Sequence, residues 1–196
     1  MIAVLTADII NSRQGDVESW LTILKETLSH YGDEPKNWGI YRGDSFQLSI
    51  APEKALFAAL HIKATIKQTK LQDVRIAIGL GDEQYSSSKI TEANGSAYIN
   101  SGSCFESLKK QTLAIKSNNN KLDQSLNMMF RLSKLTINNW TPTVSEVIKT
   151  AMVYPEKNQK SLAKLLNKSQ SSVSEALKRG GYEELIHLNE FYKNNI

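Results

Sequence analysis

The sequence predicts an α+β protein in two parts, a mixed region at residues 1–118 and an all-helical region at residues 119–196. Short β-rich apolar runs alternate with helix-periodic segments as far as the polar run Ser117-Asn118-Asn119-Asn120. Beyond that run the pattern reads as helix throughout. Charge divides at the same place: residues 1–118 hold 13 basic and 13 acidic side chains, and residues 119–196 hold 11 and 7.

Each element of the first part follows from its pattern. Ile2 to Ile10 is a β-rich apolar run suited to a strand buried on both faces. Val17, Leu21, Leu24 and Leu28 form one helical face, and Gly32 ends it. Trp38 to Arg42 and Ser45 to Ile50 read as strands joined at the turn dipeptide Gly43-Asp44. Leu56, Ala59, Leu60 and Lys63 start a second helix that Ile66 extends, and Val74 to Leu80 alternates as a strand. Ala97 to Lys110 reads as a helix and Thr112 to Lys116 as an edge strand. The order β-α-β-β-α-β is that of a ferredoxin-like sheet with helices on one face.

In the second part, Leu122, Leu126 and Met129 begin a long helix that Leu135 and Ile137 continue. Thr141 caps the next, Val144 to Val153, with Pro142 in its first turn. Leu185, Leu188 and Tyr192 predict a terminal helix that packs back on the others.

Lys160 to Arg179 carries the most information. Leu162, Leu165 and Leu166 give a short apolar face, with Ala163 where two helices must approach closely. Asn167 suits a left-handed turn and Ser169 an N-cap. Val173, Ala176 and Leu177 form the inner face of a second helix, which Gly180-Gly181 ends. Such a helix-turn-helix leaves Gln170, Ser171, Ser174 and Lys178 outward, groups that suit base edges and phosphates. Lys157 to Arg179 holds six basic residues against Glu175 alone, a net +5 in a chain whose total is +4. A local excess of this kind fits duplex DNA. The expected contacts are Lys160, Lys164, Lys168, Ser169, Gln170, Ser171, Ser174, Lys178 and Arg179. Lys168 departs from the pattern, since an apolar residue often plugs that junction. Two amphipathic helices in an ordinary bundle, or a face for a protein partner, would share much of it.

Two aspartates stand out in the first part. Asp8 interrupts an apolar strand, and Asp44 follows a glycine at a hairpin tip. Two carboxylates and a backbone carbonyl at one sheet edge would make a hard-oxygen site suited to Mg²⁺ with nucleotide phosphates. Equally, Asp8 would close the Asn11-Ser12 turn and Asp44 would shape a β-turn.

The segments LTADII, YRGDSFQLSI, VRIAIGLGD and GSAYINSG resemble, in order, those of class III nucleotidyl cyclase domains, whose ferredoxin-like core is related to polymerase palms. The resemblance implies that Asp8 and Asp44 match the metal-binding pair and that the Ile9 carbonyl completes the site. The same order followed by a helix-turn-helix is similar to the SatD family of small bacterial proteins, over nearly the whole chain. Ile40 stands where cyclases carry a base-selecting lysine, and Cys104 stands where an arginine should follow Asn100 by four residues. Loss of that cationic clamp on phosphoryl transfer argues against a competent enzyme. Arg42 and Arg75 are the nearby candidates to replace it.

The remaining composition sets limits. With 40% hydrophobic and 22% charged residues the chain is globular. No apolar run approaches the ~18 residues of a membrane span. MIAVLTADII meets Asp8 early and lacks a basic leader, so the expected setting is cytoplasmic. Cys104 is alone, and His30, His61 and His187 are scattered without local ligand partners. Together these readings predict a bacterial DNA-binding transcriptional regulator that reads duplex DNA as a homodimer. Its cyclase-like part would be catalytically inactive and would sense a nucleotide ligand or pair protomers. The alternative is metal-dependent nucleotidyl transfer.

Overall fold

The computed structural model describes residues 1–196. Five strands form one mixed sheet in the order β2-β3-β1-β4-β5. They are β1 (Ile2–Ile10), β2 (Trp38–Tyr41), β3 (Ser45–Ile50), β4 (Asp73–Gly81) and β5 (Leu113–Lys116). All neighbours are antiparallel except β4 and β5, which run parallel. Eight helices complete the α+β fold: α1 (Val17–Ser29), α2 (Ala55–Ile66), α3 (Ser96–Ser107), α4 (Asn120–Ile137), α5 (Pro142–Val153), α6 (Gln159–Leu165), α7 (Gln170–Gly180) and α8 (Tyr182–Lys193).

The alternation of β1 places Ala3, Leu5, Ala7 and Ile9 in the main core with Trp20, Leu24 and Leu28 of α1. Helix α2 covers the same face. It has no polar side to present, because 11 of its 12 residues are buried, as expected of a helix enclosed on every side. Sheet lies under it, and α5 and α8 lie over it. Lys63 is fully buried within it, and its ammonium is satisfied by Asp73 at 2.9 Å and by the Val74 carbonyl at 2.8 Å, as a charge removed from water requires.

The expectation of helices on one face holds for α1 and α2 but not for α3, which crosses the opposite face. There Ala77, Cys104 and Leu108 form a small second core. Gly79 makes this approach possible, since a Cβ on it would lie 2.2 Å from the Ser101 amide. Helix α3 also ends three residues earlier than its sequence pattern suggests, where Lys109 turns into the left-handed region at φ 48. The β2–β3 turn is likewise displaced. Its left-handed residues are Arg42, φ 55, and Gly43, φ 89, one position before the predicted Gly43-Asp44.

At the break near residue 118, Asp123 of α4 binds the Ser117 amide and hydroxyl at 2.8 and 2.7 Å. Asn119 caps α4 and Thr141 caps α5, each accepting from an amide three residues on. One apolar cluster of 40 buried residues runs from the sheet through α2 into α4 to α8.

Candidate nucleic-acid interface and the sheet-end carboxylates

Helix α6 starts at Asn158, whose side chain accepts from the Ser161 amide, and ends in a Schellman turn. The Lys168 amide donates to the Ala163 carbonyl at 2.9 Å, and the Asn167 amide donates to Lys164 at 3.2 Å. Asn167 adopts φ 51, the left-handed position this turn demands. Ser169 then caps α7 by accepting from the Ser172 amide at 3.1 Å. Four residues, Leu166 to Ser169, therefore separate two helices whose ends are both satisfied.

Helix α7 is anchored along one line. Val173, Ala176 and Gly180 are buried, and Gly180 lies so close to α5 that a Cβ on it would sit 2.6 Å from Ile148 Cδ1. The Trp140 indole donates to the Gly180 carbonyl at 3.0 Å. The left-handed Gly181, φ 64, closes the helix. With that line fixed, Gln170, Ser171, Ser174, Lys178 and Arg179 are exposed. Lys160 and Lys164 are exposed on α6.

The nine expected contacts divide into free and engaged groups. Lys160, Lys164 and Lys178 make no ion pair, and neither Gln170 nor Ser174 hydrogen-bonds through its side chain. Ser169 and Ser171 share a hydroxyl contact at 3.0 Å. Arg179 reaches Glu175 at 3.7 Å, in the exposed spacing that contributes little. Lys168 is directed inward to Glu146 of α5 at 2.9 Å. Its partner explains why a lysine stands at the junction: Glu146 neutralises it and the pair closes the turn against α5. Leu165 also differs from expectation, being half exposed rather than part of the inner face.

In the sheet, Asp8 pairs across strands with Ser45, and the Ile9 amide donates to the Asp44 carbonyl at 3.0 Å. The fold thus brings Asp8, Ile9 and Asp44 to one sheet end. Both carboxylates are already partnered there. The Arg75 guanidinium engages the two Asp8 oxygens as a fork, through Nε at 2.9 Å and through Nη2. This hydrogen bonding holds the Arg75 pKa above its ordinary value. Asp44 accepts from the Ser12 hydroxyl at 2.7 Å, so the turn after β1 is tied by Asp44 and not by Asp8. A divalent cation would have to displace Arg75 from Asp8. As arranged, the residues do not offer an open oxygen site, and no three-residue cluster of His, Cys, Asp or Glu suited to a metal exists elsewhere. Arg42 is exposed in its turn.

Asn100 and Cys104, one helical turn apart on α3, are turned to the sheet. The Asn100 amide donates to the Leu80 carbonyl at 2.8 Å. Burial pushes the Cys104 thiol up to about 11, which leaves it protonated and inert at neutral pH. Ile40 packs against the main core. The strand-to-strand pairing of Asp8 with Arg75 has no local sequence signal, because it depends on a register joining residues far apart in the chain.

Fold and charge define a class: an α+β protein with a five-stranded mixed sheet and a C-terminal helical region that carries the excess positive charge. The chain belongs to the SatD family, whose model matches residues 1–190. No curated protein matches it. No helix is long and apolar enough to cross a membrane.

Proposed function

We propose that this chain is a DNA-binding regulator in which α6 and α7 form a helix-turn-helix and α7 enters the major groove. The observation that carries the reading is the contrast across α7. Its inner line is fixed by Gly180 against Ile148, while Gln170, Ser174 and Lys178 remain exposed and unpaired. Base-reading side chains must be free of internal partners and must project from a helix whose pose does not fluctuate. Lys160, Lys164 and Lys178, exposed and without ion pairs, would supply phosphate contacts.

The first four strands, ordered β2-β3-β1-β4, support a ferredoxin-like, palm-type reading of residues 1–118, with α3 and β5 added to it. On this proposal that part senses a small ligand or pairs protomers, since helix-turn-helix proteins read two half-sites as dimers. Nucleotidyl transfer has less support, because Arg75 occupies Asp8 and Cys104 replaces the expected cationic clamp.

The test is salt-dependent binding to duplex DNA. Lys164→Ala and Lys178→Ala are each expected to lower the log–log salt slope by about one unit. Binding no tighter than that of an unrelated protein of equal charge overturns the reading.

A further inference from the structure

A polar cavity of about 410 Å³ lies where α1 and α2 meet α5, large enough for a small ligand. All but two of its eleven lining residues are polar, among them Ser19, His30, His61, Thr65 and Lys149. The fold brings His30 and His61 together there, with ring centroids 6.0 Å apart. His61 is buried, and its Nδ1 lies 2.8 Å from the Tyr31 hydroxyl. Its other nitrogen, Nε2, has no partner. In the tautomer in which Tyr31 donates to Nδ1, the neutral ring carries its proton on Nε2, a buried donor that lacks an acceptor. Lys149 is half-buried and makes no ion pair. The one carboxylate on the rim, Glu26, is exposed and lies beyond ion-pair distance of it.

We propose that this cavity binds a small molecule through a carboxylate or phosphate group held by Lys149, His61 Nε2 and His30. Lys149 and His61 Nε2 are donors there without a partner, and an oxyanion satisfies both at once. His30 and Lys149 add positive potential at this point: burial first, then these two groups, push the His61 pKa down to about 4. The site deepens the regulator reading and rests on it for its purpose. Lys149 follows Ile148, the residue against which Gly180 of α7 is seated, so an occupant touches the helix that positions α7.

The experiment titrates inorganic phosphate, and separately acetate, into the ¹⁵N-histidine-labelled full-length chain while the imidazole nitrogens are followed by NMR. At least one anion is expected to shift the His61 Nε2 resonance at concentrations up to about 10 mM, the range of a single weak polar group. The same anion is expected to raise the His61 pKa. Lys149→Gln, a half-exposed substitution that leaves the core intact, should weaken the response about tenfold, as loss of a charge-assisted contact would. The exposed Lys25→Gln should leave it unchanged. Which anion responds separates a phosphate ester from a carboxylate as the natural group. An unmoved His61 with both anions means that water alone fills the cavity, and it overturns the proposal. An undiminished shift in both Lys149→Gln and His30→Gln also overturns it. No DNA is present, so failure here leaves the DNA reading standing. Loss of DNA binding with an intact His61 response would do the reverse.

Discussion

Helices α2 and α7 are of similar length and are used in opposite ways. On α2 the only charged residue that is fully enclosed, Lys63, is matched to Asp73 and Val74. On α7 three residues are buried and the polar remainder faces outward, with Gln170, Ser174 and Lys178 unpaired. The sheet-end carboxylates resemble α2, because Asp8 and Asp44 are each satisfied within the fold. The contrast separates polar groups that hold the protein together from those free to meet another molecule. Sequence pattern marks both kinds as conspicuous. Only their partners tell them apart.

The comparison breaks first at Lys63. Lys63→Ala leaves Asp73 with Lys67 alone as ion-pair partner at 3.5 Å and the Val74 carbonyl without its side-chain donor, and it is expected to cost about 2–3 kcal/mol of unfolding free energy, measured by urea denaturation. A loss near zero would mean that the pair does not organise α2.

A second effect is pH-dependent. The unfolded-state pKa of His61 is near the ordinary 6.5, and burial lowers the folded value to about 4. Between these values the unfolded chain binds the extra proton, so stability falls as pH drops from 6.5 towards 4, by roughly 2–3 kcal/mol. Asp73 is also depressed by its lysine partners, though burial opposes them, so its contribution is lost at lower pH, below the ordinary carboxylate range. The melting temperature from pH 7 to 4.5 reads the His61 effect, and His61→Gln should flatten it.

The smallest changes sharpen the contrast on α7. Ser169→Ala should destabilise by about 1 kcal/mol through loss of the cap. Gln170→Ala should leave stability within about 0.5 kcal/mol yet weaken specific DNA binding by about 1 kcal/mol. A Gln170→Ala variant that unfolds early would place that side chain with the structural group.

Most elements were legible because their causes are local. Periodicity located β1, α1, α2, α4 and α5, and turn chemistry located the Asn167 turn with its Ser169 cap. The Ser117–Asn120 run marks the change from mixed to all-helical structure, although the apolar core continues across it. What escaped were side-chain environments and partners set by residues distant in sequence, although the meeting of Asp8 and Asp44 at one sheet end was legible. Leu165 obeyed the helical spacing and is still half exposed. Lys168 carries the same charge as Lys164, and Glu146 alone separates their roles. His30 and His61 looked unrelated until α1 packed on α2.

Backbone preference and apolar rhythm act over a few residues, so the chain alone determined where helices and strands form, how they are capped, and where positive charge concentrates. Packing determined the side of the sheet taken by α3, the pairing of Asp8 with Arg75, and the convergence of two histidines and a lysine on one cavity. These depend on contacts between residues remote in sequence, and their energies exist only once the core has brought those residues within a few ångströms.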